Sequence, residues 1–252
     1  MPVLPEFSLA NRVAILATSG GDQAPFLAQA LVEAGASVFT IARSQPLLDA
    51  VLDGLAGTGS QNGAVMGSPS PAILASALED FDRVYDHLDI LVNDTRSMFA
   101  KPFTDITLEE WDEVHSRNVK STFLLCQEAG RRMTQQGYGR IVNVVSELAE
   151  RGMINGAAFA ASQASLLSLT RSLAVEWGRF NVRVNALGTG WFSAQDLPLE
   201  VQRQELLVRY TPLRRLGHPR DIGPLLVYLC SEACDYTTGQ PIYVDGGLNA
   251  HP

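Results

Sequence analysis

Apolar residues fall along the chain in two recurring patterns: short continuous runs, and longer stretches with helical spacing. Arg12 to Ala17 (RVAILA) is a compact run that closes on Thr18-Ser19-Gly20-Gly21, and Pro25 to Ala34 places its apolar residues on one helix face, which predicts strand, turn and helix. Gly35 stops that helix, Ser37 to Ile41 (SVFTI) predicts a second strand, and Leu47 to Leu55 a second helix. Gly57 to Pro71, rich in Gly, Ser and Pro, predicts mostly loop, with at most a short strand around Ala64 to Met66. Ala72 to Tyr85 then reads as helix. Leu88 to Val92 (LDILV) reads as a strand buried on both faces, as in parallel sheets.

The alternation continues. Leu108 to Gln135 predicts one long helix, Arg140 to Val145 a strand, Ala157 to Gly178 a helix and Val182 to Leu187 a strand. Leu199 to Tyr210 and Asp221 to Cys230 predict two more helices before a last strand, Pro241 to Val244. Repeated strand-helix units imply an α/β fold: a Rossmann-like, doubly wound parallel sheet with helices on both faces. No linker or composition break divides the chain, so residues 1–252 are expected to form a single domain with a lead at 1–10 and a tail at 248–252.

Composition narrows the function. With 27 acidic and 19 basic side chains the net charge is -8, so no cationic field is available to hold a nucleic acid. Cys126, Cys230 and Cys234 are odd in number and lack a C-x-x-C pair, which suggests neither a disulfide framework nor a thiolate metal site. The scattered histidines, His87, His115, His218 and His251, show no ligand spacing, so no metal is expected. No apolar run approaches the ~18 residues needed to span a bilayer. Met1 to Ala10 lacks the basic start and apolar stretch of a signal peptide, so a soluble, cytoplasmic chain without membrane partners is expected.

Several strings, in order, resemble the short-chain dehydrogenase/reductase family. They are Asn118-Val119, Arg140 to Ser146 (RIVNVVS), Leu166 to Trp177 (LLSLTRSLAVEW), Val182 to Ala186 (VRVNA) and, most specific, Thr211 to Gly247, ending in GQPIYVDGG. The resemblance runs from about Asn11 to Gly247 and implies NAD(P)-linked oxidoreduction. Fold likeness alone does not settle activity, so each functional position has to be read separately.

At the cofactor turn the family carries T-G-x-x-x-G-x-G, because side chains there would block backbone approach to a pyrophosphate. Aligned without gaps, this chain reads ATSGGDQA, with Thr18, Asp22 and Ala24 at the three glycine places. Asp22 sets a carboxylate where a diphosphate is expected. Two like charges ~4 Å apart repel by about 1 kcal/mol in water. The alternative is a displaced turn built on Gly20 and Gly21 that still admits a cofactor. The family's N-N-A-G after the fourth strand is replaced by Asn93-Asp94-Thr95-Arg96, which brings bulk and charge toward the expected ribose. Arg43, after the second strand, stands where the family often holds a 2′-phosphate. The resulting expectation is no cofactor, and NADP if any.

The resemblance also implies a serine that binds the substrate carbonyl, a tyrosine thirteen residues on as acid/base, a lysine four beyond that, and an asparagine supporting a proton relay. Ser146 and Asn118 are retained; Phe159 and Gln163 stand at the tyrosine and lysine places. Phe159 has no proton to transfer and Gln163 no charge with which to tune a neighbour. Ser146 and Asn118 then read either as structural polar groups or, for Ser146, as a partner of Glu147, Glu150 or Arg151, charges that otherwise form a solvated loop face. The family's P-G pair after the sixth strand appears as Thr189-Gly190, followed by Trp191 and Phe192.

These departures lead to the expectation of a pseudoenzyme subunit that has lost redox catalysis. It would associate with copies of itself or with an active homologous subunit, most simply as a tetramer. Two alternatives stand beside it. One is a non-redox enzyme using the vacated nicotinamide space, as halohydrin dehalogenases do, although Phe159 and Gln163 break that pattern too. The other is an atypical NADP-dependent reductase with a relocated acid.

Overall fold

Continuous apolar runs make strands buried on both faces, and the helices between them return the chain to the same edge of the sheet. The computed structural model describes residues 4–250. Among these, β1 (Val13–Thr18), β2 (Ser37–Ala42), β3 (Asn62–Val65), β4 (Ile90–Asp94), β5 (Gly139–Ser146), β6 (Val182–Thr189) and β7 (Pro241–Val244) lie side by side in the order β3-β2-β1-β4-β5-β6-β7. Every neighbouring pair is parallel. This is the single-domain Rossmann-like sheet expected from the alternation. Of the expected lead and tail, residues 1–3 and 251–252 lie outside the described part, and His251 with them.

Side-chain alternation divides the core. Ala14 and Leu16 of β1 face one way, against Leu27, Ala28 and Leu31 of α1 (Ala24–Glu33), Val51 of α2 (Gln45–Gly54) and a later helix carrying Leu226 and Leu229. Ile15 and Ala17 face the other way, toward Leu74 and Phe81 of α3 (Pro71–Asp82) and the helices that follow it. Each fully buried Leu or Ile contributes roughly 1.5–3 kcal/mol. No helix among the described residues is long and apolar enough to cross a membrane.

Four elements differ from the sequence expectation, each for a local reason. Inside the expected loop, Asn62–Val65 pairs with β2 as an edge strand; a Cβ on Gly63 would meet the Thr40 carbonyl oxygen at 2.5 Å, so glycine is what lets the strand approach. The long helix is interrupted. α4 (Leu108–His115) opens on a capping box between Thr107 and Glu110, passes into a π-helical turn at Ser116–Lys120, and resumes as α5 (Ser121–Gln136). The next helix, α6 (Ala157–Trp177), is unbroken. The expected helix 199–210 is two short pieces, α7 (Leu199–Gln202) and α8 (Leu206–Tyr210). Its Leu199, Val201, Leu206 and Leu207 are exposed, so little packing sustains a longer helix. The last helix, α9 (Gly223–Cys230), starts two residues later than expected, after a 3-10 turn at Pro219–Ile222.

The chain reverses its direction of travel across the sheet between β1 and β4. In open parallel sheets this is where a crevice opens beyond the carboxyl ends of the strands.

Candidate active site

Four strands end on the floor of that crevice, with Thr18, Asp94, Ser146 and Thr189 as their last residues. Above them lies a cleft of about 460 Å³. Ser19, Gly20, Gly21 and Asp22 line one side, Ser146, Glu147 and Phe159 another, and Trp191 and Phe192 close the far end.

The turn after β1 is built on Gly20 and Gly21, both in the left-handed half of backbone space (φ 127° and 101°) that side chains rarely adopt. Thr18 and Ala24, at two of the three family glycine places, are buried, the first as the end of β1 and the second as the start of α1. Asp22 is exposed on the turn and lines the mouth of the cleft. Beneath the turn lies a polar network that sequence reasoning missed. Gln23 donates to Asp94 Oδ1 at 2.6 Å, Thr18 Oγ1 donates to Asp94 Oδ2 at 3.4 Å, and the Gly20 amide donates to Thr18 Oγ1 at 3.3 Å. Burial pushes the Asp94 carboxyl up to about 6, against the lowering pull of Arg96 and these hydrogen bonds. The N-D-T-R string signalled charge here, but not its partners.

Arg96 turns across the strand ends. Its Nη1 donates to Thr189 Oγ1 at 2.6 Å and to the Val145 carbonyl at 3.4 Å, and its Nη2 lies 3.5 Å from Asp94 Oδ1. The guanidinium therefore stands beside the β5 and β6 ends, rather than only beside the expected ribose.

Ser146 is buried at the end of β5, where its Oγ donates to Glu147 Oε2 at 2.9 Å and accepts the Leu148 amide at 3.2 Å. Glu147 is 1% exposed, unlike the solvated loop face considered from sequence; Glu150 is exposed and Arg151 half-buried, donating to the Leu248 carbonyl at 2.6 Å. Burial holds the Glu147 carboxyl above the usual glutamate range, with Ser146 and its own backbone opposing through hydrogen bonds and Arg96 and Arg151 through charge. Its Oε1 has no partner among the described residues.

Phe159 and Gln163 come one turn apart on α6. Phe159 is buried and lines the cleft, while Gln163 points at β5 and accepts the Ser146 amide at 3.0 Å. Asn118 sits in the π-helical turn and is fully buried. It accepts the Ser97 amide at 2.7 Å and donates to the Ser97 carbonyl at 3.2 Å and to Ser162 Oγ at 2.9 Å. Asn118 thus clamps the segment carrying Arg96 and is absent from the cleft wall. Arg43 follows β2, where its backbone amide bonds Thr18; its side chain is half-buried and borders a second small recess with Thr18, Ser19, Met66 and Arg117.

A sequence profile of the family described as Enoyl-(Acyl carrier protein) reductase matches residues 24–249. The chain is 32% identical to the 3-oxoacyl-(acyl-carrier-protein) reductase FabG of Aquifex aeolicus, covering 96% of this chain and 99% of that one. It is 34% identical to the 2-dehydro-3-deoxy-D-gluconate 5-dehydrogenase of Bacillus subtilis, covering 96% of each. The chain belongs to the short-chain dehydrogenase/reductase family. Among solved structures of the family, a gluconate 5-dehydrogenase from Burkholderia cenocepacia, in complex with NADP and tartrate, superposes with a TM-score of 0.88 at 26% identity over 98% of both chains. A Beutenbergia cavernae structure with bound NADP superposes with a TM-score of 0.81 at 31% identity, covering 98% of this chain and 100% of that one.

These findings overturn one expectation and leave a second unsupported. The pseudoenzyme reading rested on what is missing at positions 159 and 163, whereas the relatives are named oxidoreductases and two structural neighbours hold NADP, so an active member of the family is favoured. The expectation of no cofactor is likewise unsupported. Its physical premise was that Thr18, Asp22 and Ala24 block the turn. Gly20 and Gly21 make the turn instead, with nothing within 4 Å of a Cβ placed on Gly21, and Asp22 is an exposed residue of the cleft lining.

Proposed function

We propose that this chain is an NADP-linked oxidoreductase that interconverts a carbonyl and an alcohol, with its acid/base group at Glu147 rather than at position 159. The observation that carries this reading is a buried carboxyl on the cleft wall, with its proton affinity raised by burial and hydrogen-bonded to the serine at the end of β5.

The residues present fit a dinucleotide along the strand ends. Gly20 and Gly21 leave room for close backbone approach, and Arg43 offers a cation for a 2′-phosphate beyond β2. Phe159, Trp191 and Phe192 give an apolar wall at the other end. The cofactor, when bound, supplies or takes the hydride.

The chain's own part is the proton. With Glu147 protonated, the Ser146–Glu147 bond reverses: Glu147 donates to Ser146 Oγ, freeing the serine O–H to point at a substrate carbonyl oxygen. As negative charge develops on that oxygen, Ser146 gives up its proton and receives the one from Glu147, leaving a neutral alcohol and a carboxylate. Alcohol oxidation runs the same transfers backward. Phe159 adds no proton to this relay; it excludes water that would otherwise lower the acid's proton affinity.

The test is a fluorescence titration with NADPH followed by NADPH oxidation with a panel of small ketones and oxo-acids. Glu147→Gln is expected to lower kcat by 10²–10⁴-fold and leave NADPH affinity within about twofold. Absence of NADPH binding, or full turnover by Glu147→Gln, overturns the reading.

Self-association, expected from the retained helices, enters as a second proposal. A shallow surface groove between the α4–α5 turn and α6 is bordered by Val119, Phe123 and Leu169, with Phe123 left 45% exposed. We infer that a second copy of the chain covers this face.

A further inference from the structure

Resting on the reading of the cleft as a cofactor and substrate site, we propose that Arg96 is its anion receptor, binding a diphosphate or carboxylate group through the unsatisfied edge of its guanidinium. Three observations converge on this residue.

The usual anion site of the fold is poor here. Helix α1 opens with no capping side-chain bond, and Pro25 at its second position removes one of the N–H donors that would face a phosphate. Asp22 then adds a carboxylate at the cleft mouth. An anion held at this turn needs a cation from elsewhere, and Arg96 is the basic residue among those lining the cleft.

Arg96 is also fixed in place. Its Nη1 is held by Thr189 Oγ1 at 2.6 Å and by the Val145 carbonyl at 3.4 Å, while the side chain remains 16% exposed. These bonds occupy one end of the planar group. The other edge carries Nε, a buried donor with no partner among the described residues, and Nη2, whose one contact is the long approach to Asp94 at 3.5 Å. An Nε–Nη2 edge is the fork that receives two oxygens of a carboxylate or phosphate in parallel bonds.

Finally, neither neighbouring carboxyl makes a short ion pair with Arg96. The shortest bond to Asp94 comes from Gln23 at 2.6 Å, and desolvation weakens the hold of Asp94 on its negative charge. Glu147, the other buried carboxyl near Arg96, is subject to the same effect. The short bonds of both carboxyls go to neutral donors, Gln23 and Ser146, so neither closes a short ion pair over the unpaired edge of the guanidinium.

Calorimetry with the intact chain tests this, using inorganic pyrophosphate and succinate as probes on the wild type, Arg96→Gln and Arg96→Lys, with NADPH titrated in parallel. The wild type is expected to bind at least one probe, Arg96→Gln to lose at least tenfold in affinity for it, and Arg96→Lys, a point charge without the fork, to fall between them. Pyrophosphate binding that is mutually exclusive with NADPH assigns the edge to the cofactor's diphosphate. Succinate binding that survives saturating NADPH assigns it to a substrate carboxylate. Binding of neither probe by the wild type, or equal binding by wild type and both variants, overturns the proposal. Failure of NADPH to bind while a probe still depends on Arg96 removes the oxidoreductase reading and leaves the anion receptor standing.

Discussion

The side-chain oxygen of Gln163 accepts the backbone amide of Ser146 at 3.0 Å, joining the middle of α6 to the last residue of β5. Both groups are buried, so the bond has no water to replace it. Truncating the glutamine would leave the Ser146 amide without an acceptor.

Gln163→Ala is therefore expected to cost about 1–3 kcal/mol of stability. Thermal unfolding should show it as a fall of about 2–4 °C in Tm for each kcal/mol. An unchanged Tm would mean that another acceptor reaches the amide.

The pH dependence of turnover should follow Glu147. Its carboxyl is held above the usual glutamate range by burial, so it keeps its proton to higher pH than a solvated glutamate. In the direction that protonates a carbonyl, kcat/KM is expected to fall as pH rises through that raised value. A rate that stays flat from pH 5 to 9 would remove Glu147 from the proton transfer.

Asp94 should make the fold more stable in mild acid than at neutral pH. Its folded pKa of about 6 lies above the value of 3.8 for an unburied aspartate, so the folded chain holds the proton more tightly than the unfolded one. Stability is gained as pH falls from about 6 to about 4, and the penalty is full above the folded value. Asp94→Asn keeps an oxygen for Gln23 and removes the buried charge. It is expected to raise stability at pH 8 by the order of 2–3 kcal/mol, with the gain vanishing near pH 4. Melting curves at both pH values decide; an equal effect at each would assign the change to packing.

Asp22 lies exposed at the mouth of the cleft, where its charge opposes a phosphate without blocking it. Asp22→Asn is expected to tighten NADPH binding about fivefold at low salt, from a repulsion of about 1 kcal/mol. The gain should shrink at high salt as the charges are screened. A titration in which the variant binds no better places Asp22 too far from the phosphates to matter.

Phe123→Glu puts a charge into the groove between the α4–α5 turn and α6, and is expected to split the self-associated form. Light scattering at micromolar concentration checks it. A wild-type chain that is already monomeric would end the proposal of self-association.

The strands, the helices between them and the family itself were legible in the sequence, because β1, β4 and β5 are unbroken apolar runs and Thr211 to Gly247 is a long specific string. The π-helical turn at Asn118 was not, since helical spacing continues through a one-residue irregularity with little change in pattern. The edge strand at Gly63 hid among turn residues, because the glycine that permits its close approach also reads as a loop signal. At the site, reading position by position against a motif counted losses at 159 and 163. It offered Glu147, one residue past the retained serine, both as a partner of Ser146 and as part of a solvated loop face, and could not choose between them, because a charged residue after a strand ordinarily faces solvent. Gln23 and Asp94 are separated by most of the first half of the chain, so only the fold brings them together.

The side chains that line the cleft include no histidine, cysteine or lysine. Any transition in activity between about pH 5 and 8 would then arise from a carboxyl group, a class whose proton release carries little heat. The midpoint of such a transition should hold nearly constant on warming, whereas that of an imidazole or an amine would drift downward. The temperature coefficient of the pH profile thus reports which chemical class moves the proton, without any mutation.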